Sequence, residues 1–151
     1  MTCRQTPETW LILNDKLGPA QCRAVQKLPR GAGVLVLRKL RSVESRRLRY
    51  LARGRGLTIV VETPRTARRV HNARELRDAL LRRTPSILVS PMWPTRSHPD
   101  RPPLPRMRAA TLARLADRKA LALGGMNAKR YAEIAPLGFI GWAGISAWSG
   151  A

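Results

Sequence analysis

The sequence predicts an α/β fold with a mostly parallel sheet, on three observations. Apolar runs of four or five residues recur along the chain, stretches of helical period separate them, and the position after each run is nearly always polar or glycine. Continuous apolar strands are buried on both faces, and helices between them are the usual way to connect parallel neighbours. Ligands in such folds bind beyond the carboxyl ends of the strands.

The elements follow in order. Residues 10–13 (WLIL) form a first strand ending at Asn14 and Asp15, and a helix over 19–27 is broken by Pro29 and Gly31. Residues 33–37 (GVLVL) form a second strand, ending at Arg38 and Lys39. Ser42 is placed to cap the next helix, with Glu44 close behind, and Gly54 and Gly56 stop it. Residues 57–61 (LTIVV) are a third strand with Glu62 at its tip. The segment 63–69 is short, basic and broken by Pro64, and 66–69 reads as one helical turn before a strand end at Val70, His71 and Asn72.

A helix over 73–81 turns Leu76, Leu80 and Leu81 toward a sheet, and 86–90 (SILVS) is the next strand. Residues 91–103 carry five prolines with polar residues between them, which is too rigid for a plain linker. Helical period resumes over 106–115, residues 119–123 form a strand running into Gly124 and Gly125, and Asn127 caps the following helix. The last strand is 139–144, leading into Ile145 and Ser146. That makes seven strands.

With 151 residues the chain suits one domain, expected over 9–151 after a flexible stub at 1–8. Two cysteines, Cys3 and Cys22, exclude a disulfide framework. No apolar run approaches the ~18 residues of a membrane span, and no signal-like segment opens the sequence, so a cytoplasmic protein is expected. The net charge of +20 invites phosphate-bearing partners, but 24 of the 29 basic residues are arginines spread along the whole chain. No zinc spacing or nucleic-acid module accompanies them, so specific nucleic-acid recognition is not expected.

Chemistry is expected where strand ends converge. Gly124 and Gly125 follow a strand and precede a helix, a place where backbone N–H groups can approach a phosphate; the alternative is a sharp turn that needs glycine. Ile145 and Ser146 lie at the next strand end, and two neighbouring loops sharing one phosphate is a barrel feature. Thr95, Arg96, Ser97 and His98 suit an anion with several oxygens; the alternative is a solvated proline-rich loop. His71 is either a proton-transfer group or a hydrogen-bonded structural residue. No His, Cys and carboxylate set has metal-ligand spacing.

Four stretches in order resemble the thiamine phosphate synthase family and its TenI-type thiazole tautomerase branch: VHNARELRDAL (70–80), SPMWPTRSHP (90–99), ALGGMN (122–127) and GFIGWAGISAW (138–148). The resemblance is good over 69–148 and loose over 10–62. It implies a (β/α)8 barrel in thiamine biosynthesis. Gly124, Gly125, Ile145 and Ser146 would hold a thiazole phosphate. Thr95, Ser97 and His98, with Arg38 and Lys39, would hold a pyrimidine pyrophosphate, and His71 would be the tautomerase histidine. Synthase activity would use Mg²⁺; the tautomerase branch needs none.

The departures are specific. Glu62-Thr63 stands where the family has an Asn-Asp pair, and the next strand with its metal-binding Asp is missing. His98 stands where many synthases have Lys, and Arg69 where they have Ser. A full barrel usually takes at least about 200 residues. A truncated barrel of seven parallel strands is therefore expected, gapped beside 57–61, with Val70 and His71 drawn in to fill part of the gap. A short eighth strand over 67–70 is the alternative. A catalytically inactive phosphate-binding module and a basic nucleic-acid-binding protein remain as other functions, and a homo-oligomer is compatible with the sequence.

Overall fold

Seven short strands and five helices alternate in a computed structural model that describes residues 5–96, 98–145 and 147–148. The strands are β1 (Thr9–Leu13), β2 (Gly33–Val36), β3 (Thr58–Val61), β4 (Ala67–Val70), β5 (Ser86–Val89), β6 (Ala120–Leu123) and β7 (Gly141–Gly144). The helices are α1 (Pro19–Lys27), α2 (Ser42–Arg53), α3 (Ala73–Leu81), α4 (Arg106–Leu115) and α5 (Ala128–Ile134), the last running into a 3₁₀ turn, Ala135–Leu137. Every ladder is parallel, and the order is β3-β2-β1-β7-β6-β5-β4.

The expected gap is present. β3 pairs only with β2 and β4 only with β5, so both are edges. The sheet is nonetheless curled on itself. Trp10, Ile12, Leu35, Ala67, Leu88, Leu121 and Ala143 form one buried cluster, with Val60 packed against it, so all seven strands share one interior. The register says the same. Carried around the six ladders, Val61 comes level with position 74, yet across the opening Thr66 Oγ1 donates to the Val61 carbonyl at 2.5 Å. The eight-residue offset between 66 and 74 equals the shear of a (β/α)8 barrel.

That stagger explains how five residues, 62–66, join two parallel strands. A parallel crossover ordinarily needs a dozen or more residues, but here the end of β3 already lies beside the start of β4. Thr63 N–H donates to Thr66 Oγ1 (2.9 Å), and Thr84 Oγ1 donates to the Pro64 carbonyl (2.7 Å), fixing the link from both sides. The reading of 66–69 as a helical turn is thereby corrected: residues 64–66 turn and Ala67–Val70 is β4, one of the seven strands and not an eighth. Ala67 and Val70 are buried three residues apart, a spacing that imitates a helix until the ladder with β5 imposes alternation.

Side chains outside the barrel pack in two shells. Val34, Val36, Leu11 and Leu13 meet α1 and α2 through Val25 and Leu48. Val70, Ile87, Val89, Ala120, Ala122 and Trp142 meet α3, α4 and α5. β3 is an edge strand, and its residues are exposed or half-buried, with Ile59 packed against the cluster that holds Leu48 of α2. Trp10 closes the barrel interior. Its indole lies where a Cβ on Gly33 would stand, and its Nε1 donates to the Pro7 carbonyl at 2.6 Å. The Glu8 carbonyl accepts from Trp142 N–H at 2.7 Å.

The N-terminus of α2 differs from expectation. Arg41, not Ser42, is the N-cap, because the Glu44 carboxylate reaches back to the Arg41 N–H at 3.2 Å. Its other oxygen accepts from Leu17 N–H at 3.3 Å, joining α2 to the loop after β1.

Candidate active site

Period-two alternation decides which residues reach the open end of the barrel. In β1, Trp10 and Ile12 face the interior; in β4 it is Ala67 and then Arg69, while Arg68 turns outward to Asp78 on α3. Extending that alternation past the strand tips brings Leu37, Ser90, Leu123 and Ile145 to the same end. One cavity of about 400 Å³ occupies it, with an apolar floor of Ile12, Leu37, Leu123 and Ala143. His71, Ser90, Thr95, Arg96, His98, Arg101 and Arg69 form its polar wall, and Gly124, Gly125, Gly144 and Ile145 line it at two strand ends.

His71 is held by three contacts. Its backbone N–H donates to Glu75 Oε2 at 2.7 Å, and its Nδ1 lies 2.7 Å from the Ser90 carbonyl and 3.2 Å from Ser90 Oγ. A carbonyl only accepts, so Nδ1 carries a proton and Nε2 is the ring nitrogen left for exchange. Asn72 caps α3 through Oδ1 to Glu75 N–H (2.9 Å), which places Glu75 for its bond to His71. The turn chemistry that starts α3 therefore also fixes the His71 backbone, while Ser90 holds the ring.

The two glycines have structural reasons of their own. Gly124 has φ +103° and Gly125 φ +61°, conformations that side-chain-bearing residues rarely adopt. A Cβ on Gly124 would lie 3.0 Å from Met92 N and Pro91 Cα, and one on Gly125 3.0 Å from the Pro94 carbonyl. The turn alternative thus accounts for both residues, and the same turn lines the cavity. α5 is capped by Asn127 Oδ1 on Arg130 N–H (2.9 Å), but it has only seven residues. A phosphate here would depend on loop N–H groups more than on a helix dipole.

The loop after β5 is an arch with its feet joined, since Leu104 N–H donates to the Pro91 carbonyl at 2.8 Å. Trp93 N–H donates to the Gly124 carbonyl at 3.1 Å, and His98 N–H to Thr95 Oγ1 at 3.2 Å. Arg130 ties this arch to the glycine turn. Its guanidinium lies 5.3 Å from the Trp93 ring centroid, and its Nη1 donates to the Gly125 carbonyl.

Three-dimensional comparison places this arrangement among known folds. The chain superposes on thiamine phosphate pyrophosphorylase from Pyrococcus furiosus with a TM-score of 0.75 and 16% identity, covering 98% of this chain and 90% of that one. Thiamine phosphate pyrophosphorylase from Bacteroides thetaiotaomicron gives a TM-score of 0.58, also at 16% identity, over 94% of this chain and 84% of that one. The likeness is one of fold. No family model and no curated protein matches the sequence.

Of the residues picked out from the sequence, His71, Thr95, His98, Gly124, Gly125 and Ile145 line the cavity together. Ser97 and Ser146 lie outside the described residues. Arg38 and Lys39 are exposed and do not line it; Lys39 borders a groove between α2 and β3. Sequence reasoning missed Ser90, Arg101 and Arg130 as site residues and gave Arg69 no place in the site; Arg96, picked out with its loop, also lines the cavity. Period-two alternation within β4, and its extension one residue past β5, was the available signal for Arg69 and Ser90.

The Mg²⁺ that the family resemblance implies does not fit this donor set. Among the described residues no group of three His, Cys, Asp or Glu is placed to hold a metal, and no carboxylate lines the cavity. Glu62, at the tip of β3, is bonded to Arg69. Among the described residues no helix is long and apolar enough to cross a membrane.

Proposed function

We propose that this chain binds a phosphorylated small molecule of the thiazole phosphate class at the open end of the barrel, and that His71 moves a proton on it. The observation that carries this reading is the convergence of His71, its Nδ1 committed to Ser90, with the Gly124–Gly125 turn and Ile145 around one cavity. The phosphate would sit against the glycine turn and the adjoining β7 loop. The apolar floor would take the ring, and Nε2 of His71 would exchange the proton. Ser90 acts through His71, as a positioning residue for the imidazole.

Proton transfer is favoured over metal-assisted coupling of two substrates for one reason: the cavity offers guanidinium and imidazole groups and no carboxylate. A binding module without turnover is the second reading, since the same convergence would hold the ligand without using Nε2. Calorimetry with thiazole phosphate tests binding, and solvent-deuterium incorporation into the bound ligand, followed by NMR, tests proton transfer. Binding by both wild type and His71→Ala, with incorporation only by wild type, is expected. Binding without incorporation in either leaves the module. No binding of thiazole phosphate overturns both readings.

A further inference from the structure

The wall of the cavity is unusual in its charge. It carries Arg69, Arg96 and Arg101 as well as His71 and His98, and no carboxylate. Arg96 and Arg101 stand on the same arch, where Arg101 N–H donates to the His98 carbonyl at 3.2 Å and the feet are closed by Leu104 on Pro91. Arg69 comes from β4 on the other side, oriented by Glu62. The arch therefore presents two guanidinium groups to the cavity, while Arg69 stands opposite with its Nε and Nη2 already engaged by Glu62. The glycine turn and Ile145 belong to two further strand ends.

We infer that this site accepts a diphosphate-class anion on guanidinium groups alone, with no divalent cation. The inference rests on the reading of the cavity as a phosphate-ligand site and adds how its charge is neutralised. Two arguments carry it. Arginine is permanently protonated and binds phosphate oxygens in pairs, so Arg96 and Arg101 can meet the second phosphate without a metal bridge. A divalent cation brought beside the arch would meet the like charge of Arg96 and Arg101 and no carboxylate lining the cavity, Glu62 being taken by Arg69. Complexing the diphosphate with Mg²⁺ would also reduce the charge that the arginines recognise.

The test is calorimetry of the whole chain with inorganic pyrophosphate at about 0.15 M salt, where exposed charges are largely screened. One series contains EDTA, a second Mg²⁺, and a third replaces pyrophosphate with thiazole phosphate. Arg96→Gln/Arg101→Gln is compared with Arg46→Gln/Arg53→Gln, a control on the exposed residues of α2. Thermal melts check that both variants fold. One equivalent of pyrophosphate is expected to bind in EDTA at least as tightly as in Mg²⁺. Loss of the arch arginines should weaken it roughly tenfold or more, and the α2 control should leave it unchanged. Binding that requires Mg²⁺, or that falls equally in both variants, overturns the inference. Thiazole phosphate binding without pyrophosphate binding overturns it while sparing the proposed function; absence of both sinks the two together.

Discussion

Arg69 and Glu62 join the two open edges of the sheet: Arg69 Nε lies 3.0 Å from Glu62 Oε1 and Arg69 Nη2 3.3 Å from Oε2. β3 and β4 exchange no ladder, so this two-point ion pair and the Thr66–Val61 bond are the described hydrogen bonds across the seam near the cavity. Arg69 also lines the cavity. The pair therefore couples barrel closure to the cavity.

Glu62→Gln should separate these two roles. Arg69 is 45% exposed and Glu62 17%, and pairs of that kind contribute less than about 1 kcal/mol. The melting temperature should barely move. Amide hydrogen exchange at β3 should quicken, because that edge loses its clasp. Unchanged exchange at residues 58–61 would show that the 62–66 link alone holds the seam.

The glycine turn should answer differently from an open turn. Gly31 has φ +77° with nothing near its missing Cβ, so Gly31→Ala should cost only the backbone penalty, roughly 1–2 kcal/mol. Gly124→Ala adds a clash at 3.0 Å with Met92 N and Pro91 Cα. Chemical denaturation should show the larger loss at Gly124, together with reduced thiazole phosphate binding. Equal losses would mean that the arch gives way freely.

Glu44 gives a pH dependence. The Arg41 guanidinium, helped by the Leu17 N–H, holds its carboxyl below the usual carboxylate range. A depressed folded-state value stabilises the fold above the unfolded value, about 4.3, and that contribution is lost as pH falls through the folded value. Glu44→Gln should be less stable than wild type at pH 7, and the difference should shrink on acidification below pH ~4. A difference that stays constant with pH would assign Glu44 a packing role only.

Much of the fold was legible because local chemistry and tertiary packing agree. The helices 19–27, 73–81 and 106–115 follow from their periodicity and boundaries, and Asn72 and Asn127 cap as their positions suggest. β4 was hidden because two of its four residues are arginine and its buried pair is spaced like a helix. Only the ladder with β5 resolves that ambiguity. The α2 cap was misassigned to Ser42 because a glutamate three residues past Arg41 competes with any hydroxyl. In the site, His71, Gly124, Gly125 and Ile145 were legible as residues just past apolar runs, whereas Arg69 and Ser90 needed the alternation along β4 and β5. Arg101 was not, since its arrival depends on how a proline-rich arch folds back onto Pro91.

The basic surface predicts weak nucleic-acid binding. Arg46, Arg47, Arg49 and Arg53 are exposed on α2 beside Tyr50, which is 81% exposed. Such a surface should bind DNA or RNA without sequence preference, with affinity falling steeply as salt rises. Fluorescence anisotropy with two unrelated oligonucleotides at several salt concentrations measures this. Tight, sequence-selective binding near 0.15 M salt would reverse the ranking of functions.

Trp10 and Gly33 provide the sharpest packing test. They are register partners on β1 and β2, and a Cβ on Gly33 would lie 2.2 Å from the Trp10 ring. That distance is far inside van der Waals contact, and the indole is locked by its bond to Pro7. Gly33→Ala should therefore be severely destabilising. Trp10→Leu should cost about 3 kcal/mol, because it leaves part of the barrel interior empty. The two changes share one volume, so they should not add: in the Trp10→Leu background the new methyl has room, and Gly33→Ala should become nearly neutral or stabilising. A denaturation cycle of the four proteins measures the coupling. The cavity lies at the other end of β1, at Ile12, so thiazole phosphate affinity should survive in whichever variants fold. Additive losses would mean that Trp10 does not fill the barrel beneath the cavity, and that the floor of the site is supported some other way.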